Sequence, residues 1–405
     1  MTVSSAIRQY ALRQYAIVTG NYWAFTVTDG ALRMLVLLHF HQLGYSPLAI
    51  ASLFLFYEIF GVITNLFGGW LGARTGLNKT MNIGLGLQII ALAMLLVPAD
   101  YLTVIWVMCA QALSGIAKDL NKMSAKSSIK LLVNENEQNT LYRWVALLTG
   151  SKNALKGVGF FLGGALLQSI GFQLTILSLT IVLGIVWLLS LVFLHNDLGK
   201  ATFKAKFRDL LSKSSAINRL SAARLCLFAA RDVWFVVGLP VYLSQTLKWD
   251  FWTIGGFLAL WIIGYGIVQS LAPLITKSEK NNREPVQGHK VFGWGITLAL
   301  ITALLATGMT FKPDSASILI SGLLIFGVLF AINSALHSYL IVRLASADGV
   351  SLDVGFYYMA NAIGRLTGTL LSGWLFQSAG LASCLWVSAL LIALAAIIAK
   401  PLRSS

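Results

Sequence analysis

KGVGFFLGGALLQSIG, residues Lys156 to Gly171, returns 209 residues later as RLTGTLLSGWLFQSAG, residues Arg365 to Gly380. Seven of the sixteen paired positions are identical: Gly159/Gly368, Leu162/Leu371, Gly164/Gly373, Leu166/Leu375, Gln168/Gln377, Ser169/Ser378 and Gly171/Gly380. Both copies are apolar, glycine-spaced and too long for a strand, and each leads into a further apolar run. Such a stretch reads as a membrane-spanning helix, and its return reads as the same helix in two halves of a duplicated chain. The first position of each copy is a cation, Lys156 in one half and Arg365 in the other.

Composition agrees with this. Of 405 residues 57% are hydrophobic and only 11% charged, against about 25% charged in a soluble domain. Cys109, Cys226 and Cys384 fall far apart inside apolar runs, which excludes a disulfide framework or a metal knuckle. Met1 to Gln14 is polar and shows no cleavable leader, so the first helix is expected to act as its own insertion signal.

Apolar runs of spanning length are read at residues 15–40, 48–73, 80–97, 101–121, 141–169, 172–194, 221–246, 251–275, 291–310, 316–342, 354–377 and 380–399. The expected fold is therefore all-α: a polytopic membrane protein of twelve transmembrane helices in two six-helix halves, 1–194 and 221–405. The stretch 195–220, HNDLGKATFKAKFRDLLSKSSAINRL, is a basic, partly amphipathic connector suited to the inner leaflet. Outside the runs, twenty-one Lys and Arg fall on the side of both termini and this connector; Lys248 and Lys312 fall on the other. The positive-inside rule then sets both termini in the cytoplasm of a cell inner membrane. Most of the net charge of +15 is a topology signal, so nucleic-acid binding is excluded.

Seven cations remain inside the runs: Arg33, Arg143, Lys152, Lys156, Arg224, Arg231 and Arg365. The acids at depth are Asp29, Glu58 and Asp232, leaving an excess of four positive charges. Each charge at the centre of a span costs about 2.5–3.5 kcal/mol even on the lenient insertion scale. These cations are therefore expected to face water or an anion. Lys152 and Lys156, four apart, share a helical face. Asp29 and Arg33 have the same spacing and could form a pair within one helix, whereas the adjacent Arg231 and Asp232 are not expected to share a face. Arg143 and Arg224 lie near helix ends, where snorkelling accounts for them. Asp29 matches Asp232, Gln42 matches Gln245 and Gly61 matches Gly264 at an offset of 203, which adds an acidic pair to the repeat. Asn153 and Asn361 sit beside the cations; such residues serve as interhelical glue or as ligands. His39 and His41 are two apart on a helix and do not converge on a metal.

Twelve helices in two halves around a basic central loop resemble the major facilitator superfamily over the whole chain. That family's loop motif after the second helix, Gly-x-x-x-Asp-Arg-x-Gly-Arg-Arg, has its counterpart in Gly69, Arg74 and Gly76, with Ala73 in place of the acid. The antiporter motif of the fifth helix survives as Gly159-Phe160-Phe161-Leu162-Gly163-Gly164 without its proline, and the fourth-helix arginine linked to proton coupling is Met108. Tyr22 to His41 (YWAFTVTDGALRMLVLLHFH), Tyr57 to Arg74 (YEIFGVITNLFGGWLGAR) and Gln111 to Lys130 (QALSGIAKDLNKMSAKSSIK) resemble the ArsJ-type organoarsenical efflux permeases.

The resemblance implies a transporter rather than an enzyme, without a cofactor or a metal. Its substrate would be 1-arseno-3-phosphoglycerate, formed by glyceraldehyde-3-phosphate dehydrogenase when arsenate replaces phosphate. The chain would export that anion by alternating access as a monomer in the bilayer. Lys152 and Lys156 with Asn153, and Arg365 with Asn361 and Arg33 or Arg231, would each hold one end of the anion. Asp29, Glu58 and Asp232 are the candidate proton carriers. A permease for another organophosphate or organic anion is the alternative.

Overall fold

The computed structural model describes residues 3–44, 53–134, 137–194, 198–202, 214–249, 251–276 and 288–402. Among the described residues the chain is helical, with no strand. The first helices are α1 (Val3–Gln42), α2 (Leu55–Thr75), α3 (Leu77–Ala93) and α4 (Val104–Leu132). A continuous helical stretch, Gln138–Phe193, breaks at Gly171 into α5 (138–170) and α6 (172–193). There follow α7 (Ser215–Gln245, interrupted at 236–237), α8 (Phe251–Ile275), α9 (Gly288–Phe311) and α10 (Ala316–Leu344). Val350–Ala399 breaks at Gly380 into α11 (350–379) and α12 (381–399). Among the described residues seven helices, with each broken one counted once, are long and apolar enough to cross a membrane.

The two breaks are the repeat made visible. Gly171 has φ 78° and ψ 177°, and Gly380 has φ 75° and ψ −176°. This left-handed, extended backbone is open to glycine and strained for residues with a Cβ. Duplicated sequence has thus produced the same one-residue junction twice.

Helix 4 departs from the expected bounds. It runs to Leu132, eleven residues past the expected end, so Lys122, Lys126 and Lys130 join Lys118 on the helix and do not lie in a loop. No Gly or Pro interrupts 116–133, and the charges find partners that the apolar-run reading did not count. Lys122 Nζ lies 2.5 Å from Asp119 Oδ1, while the buried Lys126 donates to Tyr358 Oη.

The chain forms two compact units. Unit 1 comprises Met1–Trp144, Ser151–Ser212 and Ala345–Met359; unit 2 comprises Val145–Gly150, Lys213–Leu344 and Ala360–Ser405. In unit 1, α1 crosses α5 where glycines remove side-chain bulk: a Cβ on Gly159 would meet Val27 O at 2.5 Å, and one on Gly30 would meet Lys156 O at 2.8 Å. The first turns of α11 pack on α2 in the same way, with Ser351 Oγ donating to Gly69 O at 2.7 Å. Residues 198–202 strap the α2–α3 turn: Leu77 N donates to Leu198 O, Ala201 N donates to Ala73 O, and Thr202 N donates to Asp348 Oδ1. Residues 195–197 and 203–213 of the basic connector lie outside the described residues.

Unit 2 repeats the crossing with α7 and α11, where a Cβ on Gly368 would meet Ala229 O at 2.6 Å. Close backbone approach through small residues is how helices associate where lipid supplies no hydrophobic drive. An aromatic core of Trp234, Trp261, Phe326 and Phe330 fills the space between α7, α8 and α10.

Candidate functional site

The α1–α5 crossing in unit 1 fixes a charged cluster. Because α5 lies tight on α1, Lys156 is held beside Asp29 and Arg33, and the charges of Arg33, Asp29, Lys152 and Lys118 all act on its ammonium. Among the described residues Lys156 forms no ion pair; its Nζ lies 5.7 Å from the centroid of the Phe160 ring. Lys152 and Asn153 are partly buried, one turn or less before it on α5.

Asp29 does not pair with Arg33. Its carboxylate accepts from Tyr57 Oη at 2.8 and 3.1 Å and from Ser114 Oγ at 3.4 Å. Arg33 turns instead to Glu58 of α2, with Nη2 3.0 Å from Oε1. Tyr57 is the hub, with Arg33 Cζ and Lys118 Nζ each 3.9 Å from its ring centroid. A tyrosine so placed attracts two cations through its ring quadrupole while its hydroxyl holds a carboxylate. Asp119, buried one residue on, is shared by Lys118 at 3.8 Å and Lys122 at 2.5 Å.

The equivalent place in unit 2 is built differently. Asp232 is wholly buried and receives two guanidiniums, Arg231 Nη2 at 2.5 Å and Arg365 Nε at 3.1 Å. Adjacent residues on a helix point about 100° apart, yet the long Arg231 side chain folds back to reach its neighbour, contrary to the expectation from spacing. The trio carries a net positive charge. Arg365 is the wetter arginine, its side chain 35% exposed against 17% for Arg231. Arg231 also lies 5.0 Å from the Phe228 ring and 5.7 Å from the Phe330 ring.

Arg224 is not at a wet helix end. It is buried, donating to Asn361 Oδ1 at 2.9 Å and to Ser334 O and Oγ, with Cζ 3.9 Å from the Phe228 ring. Asn361 is thereby engaged with Arg224. Sequence reasoning missed Tyr57, Ser114, Lys118, Asp119 and Tyr358 as members of polar clusters. For Lys118, Asp119 and Lys122 the signal was present, since an acid three residues from a lysine continues a helix as readily as it ends one.

Lys118, Lys122, Lys126 and Lys130 all lie on α4 with Asp119 as its only acid, so α4 alone carries a net charge of +3. Lys and Arg donors grouped around so few carboxylates are suited to phosphate-like and carboxylate ligands. Among the described residues no group of three or more His, Cys, Asp or Glu could hold a metal ion.

Solved structures share the fold. The human organic anion transporter MFSD10 (TETRAN) is 16% identical, with a TM-score of 0.76 over 96% of this chain and 99% of its own. A bacterial homologue of the iron transporter ferroportin, in an outward-facing state, is 16% identical with a TM-score of 0.76 over 95% and 98%. The E. coli fucose:proton symporter FucP is 12% identical with a TM-score of 0.74 over 98% and 100%. No curated protein matches the chain in sequence. The family model described as the Major Facilitator Superfamily matches residues 17–288, about two thirds of the length. A duplicated all-helical membrane chain with cations held at its helix crossings is thus a transporter and not an enzyme: it belongs to the major facilitator superfamily.

Proposed function

We propose that the chain is a secondary active exporter of a small organic anion, and that the anion is 1-arseno-3-phosphoglycerate, so that export confers arsenate resistance. The fold does not select the substrate, since carriers named for an organic anion, iron and fucose share it. The single observation that carries the reading is Lys156: a cation inside a span, among other cations, forming no ion pair among the described residues. An incoming phosphate or arsenate group supplies the missing negative charge. Lys156 with Lys152 and Asn153 takes one end; Arg365 and Arg231, with Asn361 and Arg33 in support, serve the other. The three-string resemblance to organoarsenical permeases supports the arsenical, and it ties the protein functionally to glyceraldehyde-3-phosphate dehydrogenase as the source of substrate.

The chain acts as a monomer of two six-helix halves in the inner membrane, termini inside, driven by gradients. A negative interior favours exit of each unit charge by about 2.3 kcal/mol per 100 mV. Export exchanges for protons, and of Asp29, Glu58 and Asp232 the best-placed carrier is Asp29. Its hydrogen-bond donors among the described residues are hydroxyls, whereas Glu58 and Asp232 are committed to guanidiniums. A permease for another organophosphate is the second reading, because the same donors recognise any phosphate ester.

Everted vesicles test both. Accumulation of 1-arseno-3-phosphoglycerate in preference to 3-phosphoglycerate and glycerol phosphate, with arsenate resistance that requires the dehydrogenase, is the expected result. Equal uptake of all phosphate esters without resistance selects the second reading, and no uptake of any anion rejects both.

A further inference from the structure

Two glutamines in unit 1 are buried with nothing to bond. Gln88 of α3 and Gln111 of α4 are 0% exposed, and neither Oε1 nor Nε2 of either has a hydrogen-bond partner among the described residues. They belong to an antiparallel pair anchored at both ends. Trp106 Nε1 donates to Met94 O at one end, and Gly84 lies against Ala117 O at the other. A register running between these anchors sets Gln88 and Gln111 within about a turn of each other. Gln111 shares a face of α4 with Ser114, whose hydroxyl donates to Asp29 Oδ1.

The chemistry of the orphaned atoms selects the ligand. A metal cation would satisfy the two Oε1 atoms and leave both Nε2 groups bare, and an apolar molecule would satisfy none. Water both donates and accepts, and an enclosed site offering several polar atoms holds it, whereas an apolar void stays dry. We propose that unit 1 encloses a cluster of ordered waters between Gln88, Gln111 and Ser114, and that this cluster is the proton relay to Asp29. The role as a relay rests on the reading of Asp29 as proton carrier; the presence of the waters does not.

In the transfer, Asp29 takes the Ser114 hydroxyl proton as Ser114 Oγ takes one from the adjoining water, which is replenished from the next. Only O–H bonds exchange, and one proton is delivered. The groups facing Asp29 are Tyr57 and Ser114, with Arg33 and Tyr22 on its own helix and Lys156 from α5. Glu58 of α2 shares Arg33 and Tyr57 with Asp29, its Oε1 paired with Arg33 Nη2 at 3.0 Å.

X-ray hydroxyl-radical footprinting of the full chain in nanodiscs is the direct test, because radiolysed internal waters label the side chains that they touch. Leu85 and Leu92, fully buried on the Gln88 face of α3, are expected to label several-fold faster than the equally buried Phe326 and Phe330 of unit 2. The double variant Gln88→Leu/Gln111→Leu is expected to lose that label and to slow proton uptake several-fold, with anion affinity unchanged. Background labelling of Leu85 and Leu92 in the wild type overturns the proposal. So does a double variant that melts higher than the wild type and moves protons at the same rate, which would mark the amides as merely unpaired. A rise in melting temperature on adding Na+ in place of choline, abolished in the variant, overturns it in favour of a cation. Fast labelling in a wild type that moves no protons retains the waters and refutes the carrier reading.

Discussion

Arg365 Nε lies 3.1 Å from Asp232 Oδ2, whereas their repeat equivalents, Lys156 and Asp29, form no ion pair with each other. The duplication kept an acid and a base at both crossings, but α2 and α4 changed the outcome in unit 1 by giving the acid to Tyr57 and Ser114. One crossing is closed by its own charges; the other leaves its lysine without an ion pair among the described residues.

Lys156→Gln is therefore expected to raise KM for the transported anion by about 10–100-fold, as loss of a charge-assisted contact of about 1.5–3 kcal/mol requires. The melting temperature is not expected to fall, since no buried partner is left bare. Uptake into vesicles and a thermal melt check both halves of this statement. An unchanged KM removes Lys156 from the binding site.

Asp232→Asn behaves in the opposite sense. It leaves two guanidiniums around a neutral amide, and breaking such a buried pair costs about 3–5 kcal/mol. The variant is expected to melt well below the wild type and to recover in part when Arg365→Gln is added. Differential scanning of the two variants decides it; the absence of rescue would mean that the guanidiniums do not depend on each other through Asp232.

Tyr57 separates its two roles by substitution. Tyr57→Phe keeps the ring under Arg33 and Lys118 but removes the donor to Asp29. Tyr57→Leu removes both, and cation–π contacts are worth about 0.5–2 kcal/mol each. Transport is expected to fall in the order wild type, Phe, Leu. Equal activity of the Phe and Leu variants would assign the whole effect to the hydroxyl.

The junction glycines allow a comparison of the halves. A Cβ at Gly171 or Gly380 meets nothing within 4 Å, so Gly171→Ala and Gly380→Ala are each expected to cost only the strain of a backbone region that glycine alone adopts readily, about 1–3 kcal/mol. Gly159→Ala, which drives a methyl group against Val27 O, is expected to cost more. Chemical denaturation in a mixed micelle ranks the three.

The strap at 198–202 carries the pH dependence. Hydrogen bonds from the Thr202 hydroxyl and then from its backbone N–H lower the Asp348 carboxyl below its ordinary value of 3.8. A depressed carboxyl stabilises the folded strap at pH above that value and ceases to do so as the pH falls through its folded value. The protection factors of the Ala201 and Thr202 amides, exchange rates relative to those of the open chain at the same pH, are expected to fall in acid and, in Asp348→Asn, to be low at every pH.

Helix existence was legible because spanning runs have a length set by the bilayer, and the repeated stretch ends in each half at the glycine where the helix breaks. Charge placement was not. Lys122 and Lys126 were assigned to a loop because a run of lysines interrupts an apolar window, although each meets an acid or a tyrosine. Linear spacing also concealed which acid each arginine takes: Arg33 reaches across to Glu58 rather than back to Asp29. Partners on different helices are set by tertiary crossing, which pattern along one helix does not encode.

Single-glycine junctions at 171 and 380 also bear on how the protein can be handled. With no spare chain between α5 and α6, or between α11 and α12, a push on the end of one rod is passed to the next without slack, so each hairpin travels as one lever. Epitope tags, protease sites or reporter cysteines inserted at either point would break that lever instead of reporting on it.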